Sequence, residues 1–111
     1  MAYRQIQELN YRRNGLILKR TDISAKLAKV YENLYFYKST LPSLLPGDRK
    51  LKEILKNKPD FDLIKAKKES SKIIEFYNKR NEELGKELDK IEKGIDKYTE
   101  QMKNLEKETR E

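Results

Sequence analysis

A chain of 111 residues has room for one domain of ordinary size. Of its residues 41% are charged and 36% hydrophobic, the net charge is +7, and no apolar run approaches the ~18 residues of a membrane span. This composition excludes a thick globular core. The absence of cysteine excludes disulfides and thiol chemistry, and the absence of histidine removes the commonest metal ligand and the side chain best suited to proton transfer at neutral pH.

The first predicted element is a helix from about residue 3 to residue 38. Its apolar residues recur at alternating spacings of three and four, which keeps one apolar seam facing a partner helix. Arg13 and Arg20 interrupt this ladder, and Asn14-Gly15 is a weak point that favours either a soft continuous helix or a break with a restart at Thr21-Asp22. The ladder itself consists of Ile6, Leu9, Leu16, Ile23, Leu27, Val30, Leu34, Tyr37 and Leu41.

The end of this helix is aromatic on more than one face. Tyr31, Leu34, Tyr35, Phe36 and Tyr37 stand within seven positions, which exceeds what a two-stranded seam requires. One interpretation is a packed helix end beneath the connector. The other is a contact surface, since tyrosine and phenylalanine are favoured anchors at protein interfaces.

A bend over residues 39–59 follows. Pro42 and Pro46 cannot lie in a helix interior, so the first helix is predicted to end before them. Asp48 is placed to cap a short helix from Arg49 to Asn57, and Pro59 or Asp60 to open the next one. Connectors of this length are often functional.

The last predicted helix covers about residues 60–107. A second heptad ladder runs through Leu84, Leu88, Ile91, Ile95, Tyr98, Met102 and Leu105. Traced backwards it passes through Asn81, Tyr77, Ile74, Ser70, Lys67 and Leu63. A second apolar stripe beside it, formed by Phe61, Ile64, Ile73 and Phe76, gives the wider face that a helix shows in a bundle.

Together these elements predict an all-α fold, an elongated, coiled-coil-like antiparallel helical hairpin with a short connecting helix, forming a single domain over residues 1–111. Folding the ladders on each other places Leu16 opposite Leu88, Arg13 opposite Ile91 and Tyr37 opposite Lys67. A buried arginine is costly when unpaired, so Arg13 and Arg20 are expected to reach an acidic neighbour such as Glu87 or Glu92.

No residue set amounts to a reaction centre, so the sequence predicts neither an enzyme nor a cofactor, metal or small-molecule substrate. It predicts an interaction protein, an adaptor or chaperone whose exposed apolar faces bind a helical protein partner or a second copy. It also predicts a cytoplasmic location, with export by a route without a cleaved signal left open. The predicted partner-binding residues are Tyr31, Leu34, Tyr35, Phe36, Phe61, Ile64, Ile73 and Phe76.

Nucleic-acid binding is the alternative function. Residues 1–58 hold 13 Lys/Arg and 5 Asp/Glu, a net of +8, whereas residues 59–111 hold 13 and 14, a net of −1. Basic side chains would neutralise phosphates, and Tyr3 and Tyr11 would stack on unpaired bases. The basic residues concerned are Arg4, Arg12, Arg13, Lys19 and Arg20.

The pattern of two long helices around a bend resembles the WXG100-like proteins of type VII secretion, and more nearly their helical-hairpin partner chaperones. The resemblance covers the whole length and lies in the architecture. It implies a chaperone that binds the helical targeting domain of a larger protein. The chain lacks tryptophan, so the bend from Pro42 to Pro59 stands where the family has Trp-x-Gly. No export motif of the Tyr-x-x-x-Asp/Glu or Phe-x-x-x-Asp kind is present, because Met102 follows Tyr98 at that spacing and Arg80 follows Phe76.

Overall fold

The computed structural model describes residues 2–110, with side chains through Glu108, and helix is the only regular secondary structure in this part of the chain. Helix α1 covers Ala2–Tyr35, α2 covers Arg49–Asn57 and α3 covers Leu63–Arg110. A π-helical turn, Phe36–Thr40, and a 3₁₀ turn, Leu41–Ser43, follow α1 directly. The all-α prediction is therefore confirmed. None of the described helices is both long and apolar enough to cross a membrane.

Both heptad ladders mark the inward-facing positions of the helices. Every residue on the α1 ladder from Ile6 to Leu41 is buried or half-buried, and so is every residue on the α3 ladder from Leu63 to Leu105. The polar members of the ladders share this burial. Helix α1 also runs unbroken through Asn14 and Gly15, which confirms the continuous helix and contradicts a break.

The α-helix ends at Tyr35, close to the predicted end at about residue 38, and helical turns of other types continue to Ser43. Leu41 donates its N–H to the Phe36 carbonyl, five residues back, and this wider turn precedes Pro42, which has no N–H to give. Ser43 Oγ donates to the carbonyls of Thr40 and Ser39, at 3.0 and 3.4 Å, and so satisfies acceptors at the helix end.

A tight turn connects this run to α2. Asp48 donates its N–H to the Leu45 carbonyl at 3.1 Å, with Pro46 and Gly47 between them. Gly47 has φ +90°, which the third position of a type II turn requires and glycine adopts without strain. The Asp48 carboxylate accepts the Leu45 N–H at 2.7 Å and so closes the turn behind it. Asp48 stands at the N-cap of α2, as predicted, but its side chain makes no capping hydrogen bond to that helix.

Helix α3 begins at Leu63, three residues after the predicted start at about residue 60. Asp62 caps α3, because its Oδ1 accepts the Lys65 N–H at 3.1 Å and its carbonyl accepts the Ala66 N–H at 2.9 Å. Asp60 satisfies the same sequence rule for an N-cap. Only the hydrogen bonds show that Asp62, and not Asp60, caps the helix.

The chain divides into two compact units, which are described separately: unit 1 is drawn from Met1–Leu27 and Glu83–Glu111, and unit 2 is Ala28–Glu82. The single-domain assignment stays a prediction. Unit 1 buries Ile23, Leu84 and Ile95. Unit 2 buries Val30, Leu34, Leu41, Leu44 and Leu51.

Contacts inside unit 1 correct the predicted register. Arg13 Nη1 donates to Thr99 Oγ1 at 3.3 Å, eight residues beyond the predicted Ile91. Leu16 Cδ1 lies 2.8 Å from the position that a Cβ would take on Gly94, six residues beyond Leu88. Both helix ends near the bend also differ from the prediction, since helical turns continue to Ser43 and α3 begins at Leu63.

Gly85 and Gly94 make a matched pair for testing this packing. A Cβ at Gly85 meets nothing within 4 Å, so Gly85→Ala is expected to stabilise the chain by about 0.5–1 kcal/mol through helix propensity. At Gly94 the Leu16 side chain must move aside, which offsets the same gain. Urea unfolding of both variants measures the difference. Equal stabilisation by both would contradict the close approach at Gly94.

Candidate functional site

All eight predicted partner-binding residues lie in unit 2, and their exposure divides them in two. Tyr31, Tyr35, Ile64 and Phe76 are exposed, with 79% of Ile64 and 63% of Phe76 accessible to solvent. Large apolar side chains this open on a folded helix are available to a partner. That these residues bind a partner stays a prediction.

The other four take part in packing within unit 2. Leu34, which is also a ladder residue, is buried. Phe36, Phe61 and Ile73 are half-buried. Phe36 and Phe61 meet edge to face, with ring centroids 5.9 Å apart and planes at 74°. The structure therefore brings the π-helical turn and the segment before α3 together through these two rings.

Tyr37 and Tyr77 form an aromatic contact that the predicted register did not anticipate. Their rings stack with centroids 6.2 Å apart and planes at 27°, whereas the sequence placed Tyr37 opposite Lys67. Phe36 packs edge-on against Tyr37 at 5.2 Å, and Phe76 against Tyr77 at 5.4 Å. These contacts link the half-buried rings of unit 2 to the exposed ring of Phe76.

Burial raises the pKa of the Tyr37 phenol above its ordinary 10.0, and the neighbouring Tyr77 raises it further. Because the folded-state pKa exceeds the unfolded one, the stabilising contribution is present below pH 10 and is lost as the pH rises above it.

A pH series on Tyr37→Phe tests this. The free energy of unfolding of the unmodified chain is expected to fall more steeply than that of Tyr37→Phe between about pH 9 and pH 11. Tyr11→Phe changes an exposed ring in unit 1 and is expected to follow the unmodified chain. Parallel curves for all three proteins would show that Tyr37 is not buried against Tyr77.

Lys67 stands on the inward-facing ladder of α3, where a charged side chain needs a polar partner, and a hydrogen bond provides one. Its Nζ donates to the Leu44 carbonyl, at the C-terminal end of the first helical run, where a cation is favoured by the helix dipole. The hydroxyl of Ser70, which is also on the ladder, donates to the Lys67 carbonyl at 3.0 Å. Asn81 has a buried Oδ1 with no hydrogen-bond partner.

Two adjoining grooves lie along α3 in unit 2. The first has a volume of about 510 Å³ and the second about 300 Å³. They share Glu69 and Lys72, so together they form one surface. The first contains Ile64 and the second Ile73 and Phe76. We call the surface from Ile64 to Phe76, with these grooves, the α3 surface.

A further cleft of about 280 Å³ lies between the π-helical turn and α2. Phe36, Tyr37, Ile54 and Phe61 supply its apolar part. Its polar lining residues are Glu32, Asn33, Asn57 and Lys58. It is smaller than most ligand pockets.

The residues of the nucleic-acid alternative all lie in unit 1 and differ in their exposure. Arg4 and Lys19 are exposed, and Arg12 pairs with Glu8 at 3.0 Å. Arg13 and Arg20 are half-buried on the ladder. Tyr3 and Tyr11 are exposed.

The acidic partner expected for Arg13 is replaced by neutral oxygens. Besides Thr99, Arg13 donates through Nη2 to Asn10 Oδ1 at 2.9 Å, and its Nε is buried without a partner. The Thr99 hydroxyl donates in turn to the Ile95 carbonyl at 2.9 Å. The shifted register explains the difference, because Thr99 rather than Ile91 comes opposite Arg13.

Unit 1 also carries an open groove of about 450 Å³ at the start of α1, with Gln5, Gln101 and Asn104 around the apolar Leu9 and Leu105. Among the described residues no cluster of three Asp or Glu is placed to hold a metal ion. Comparison with family models, curated proteins and solved structures finds no match to this chain.

Proposed function

We propose that this protein is a non-enzymatic interaction protein whose α3 surface binds a helix of a larger protein partner. The exposure of Ile64 and Phe76 on a capped helix is the observation that carries the proposal. Exposed apolar side chains bordered by polar residues and grooves are typical of surfaces that bind another protein. An amphipathic helix lying in a groove is a common way to cover such side chains.

The grooves support a helix as the ligand. Exposed Ile64 and Phe76 are twelve positions apart on α3, which corresponds to about 18 Å, or a little over three turns. A partner helix lying along α3 has its own apolar residues at similar spacing, and the two grooves offer space for them. Burying each anchor fully contributes about 1.5–3 kcal/mol before the cost of association.

The antiparallel hairpin is part of the same proposal. Inside unit 1, Arg13 meets Thr99 while Leu16 meets Gly94, so residue numbers fall along α3 as they rise along α1. A coiled-coil hairpin of this kind leaves its outer faces free for a partner. A cytoplasmic targeting chaperone of type VII secretion, or another helical adaptor, is the narrower form that the sequence resemblance suggests.

Nucleic-acid binding through unit 1 is the second candidate. Exposed Tyr3 and Tyr11 beside Arg4 favour it, since aromatic rings stack on bases and arginine neutralises phosphate. Fewer cationic side chains are free to contact phosphate than the sequence suggests, because Arg13 and Arg20 are half-buried on the ladder and Arg12 pairs with Glu8.

Affinity capture from a native lysate, with and without nuclease, separates these functions. We expect a stoichiometric protein partner that survives nuclease treatment. Recovery of nucleic acid alone, or loss of every partner with nuclease, would support the second candidate. Sedimentation of the purified chain over a concentration series decides whether a second copy is the partner.

A further inference from the structure

The α3 surface is basic as well as apolar. Lys65, Lys68 and Lys72 are exposed and stand three and four residues apart, so they share one face of the helix. They lie between the two apolar anchors, Ile64 and Phe76. All three line the first groove.

These lysines are electrostatically available. Among the described residues, Lys26 forms an ion pair with Asp22 and Lys93 forms one with Asp89. None of the ion pairs in this part of the chain includes Lys65, Lys68 or Lys72. The first groove also contains Asp62 and Glu69. Asp62 Oδ1 accepts the backbone N–H of Lys65. The negative charge of Asp62 therefore interacts partly with the N-terminus of α3 rather than with the lysine side chains.

Unit 2, which contains the α3 surface, carries a net positive charge as well. Residues 28–82 contain 13 Lys/Arg and 8 Asp/Glu, a net charge of +5 out of the +7 of the whole chain. Helix α2 contributes Arg49, Lys50, Lys52 and Lys56 against Glu53. A partner that approaches unit 2 therefore meets a positive field.

We propose that the α3 surface selects an acidic amphipathic helix, whose apolar stripe covers Ile64 and Phe76 and whose flanking Asp or Glu residues face Lys65, Lys68 and Lys72. This inference rests on the proposed function and specifies the chemistry of its partner. Opposite charges beside an apolar seam set partner choice between helices, as they do in coiled coils.

Two other anionic partners fit the surface less well. Nucleic acid offers phosphates to the lysines but nothing comparable in apolarity to cover Ile64. An anionic membrane favours a broad apolar face, whereas Glu69 and Glu75 stand among these residues and the surface between the anchors is grooved.

Two designed helical peptides test the proposal on the full chain. Both carry the same Leu/Ile stripe, flanked by Glu in one and by Lys in the other. By calorimetry at low salt, we expect the Glu-flanked peptide to bind at least about tenfold more tightly, and the difference to shrink as salt shortens the Debye length to about 3 Å at 1 M.

Charge-reversed variants locate the effect. The triple variant Lys65→Glu, Lys68→Glu, Lys72→Glu is expected to lose or invert the preference for the acidic peptide. The matched control changes Lys86, Lys90 and Lys97, which are exposed on α3 in unit 1, to Glu and is expected to keep it. Circular dichroism of both variants verifies that helicity is retained.

Each other outcome has a definite meaning. Equal binding of both peptides would overturn the charge selection while leaving the proposed helix-binding function intact. Binding to phosphatidylserine vesicles without binding to either peptide would replace the acidic helix with a membrane. Absence of binding to peptides and vesicles would overturn this inference, and the lysate capture would then decide the proposed function separately.

Discussion

Leu84→Asp is expected to unfold unit 1. Leu84 is 1% exposed, among the most deeply buried side chains of the described chain, and stands on the α3 ladder. Losing the leucine side chain costs about 2–5 kcal/mol. Placing a carboxylate in the same apolar position costs several kcal/mol more, because a buried charge loses its hydration. A small domain is stable by only about 5–15 kcal/mol in total.

Leu18→Asp is the matched control for Leu84→Asp. It makes the same chemical change in unit 1, but Leu18 is 73% exposed, so its effect is expected to stay within about 0.5 kcal/mol plus a small loss of helix propensity. Circular dichroism at 222 nm and urea unfolding measure both. If the two variants unfold at the same urea concentration, the ladder is not the core of unit 1.

The heptad spacing predicted the buried face of both long helices because each helix is continuous over many turns. A residue's angular position then follows from its number alone, so even Arg13 and Asn81 could be assigned to the ladder. Leu34 shows the limit of this reasoning. It was placed both on the ladder and in the contact surface, and packing in unit 2 assigns it to the interior.

The register and the helix ends could not be predicted in the same way. Pro42 indicates where an α-helix must stop, but a π-helical turn lets the chain continue past that point without the missing N–H. Asp60 and Asp62 satisfy the same capping rule, and the choice depends on which carboxylate reaches a backbone N–H. The observed contacts of Arg13, Leu16 and Tyr37 all lie six to ten residues further along α3 than the predicted ones.

The α3 surface was predictable in part. The spacing of Phe61, Ile64, Ile73 and Phe76 indicated a second stripe, but spacing cannot say which members a neighbouring segment covers. Phe36 covers Phe61, while Ile64 and Phe76 remain open. The lysines between them were visible in the sequence, yet their significance depends on the grooves that they line.

Removing both open anchors is expected to abolish partner binding and leave the fold intact. In the double variant Ile64→Ser, Phe76→Ser the two side chains are already exposed, so little core packing is lost. In the complex, however, each buried anchor contributes about 1.5–3 kcal/mol. Because every 1.4 kcal/mol is a factor of ten, affinity should fall by about two to four orders of magnitude. Serine leaves the charge unchanged, which separates this test from the lysine variants.

Tyr11→Ser, Leu18→Ser is the control pair, since it removes two equally exposed apolar side chains from unit 1. Both double variants are compared with the unmodified chain by lysate capture, followed by titration of the recovered partner. Loss of the partner with both pairs would indicate nonspecific apolar adhesion, and retention with both would place the binding surface elsewhere on the chain. Only selective loss at Ile64 and Phe76 ties partner binding to the start of α3, because that result requires the open apolar residues to act at one position.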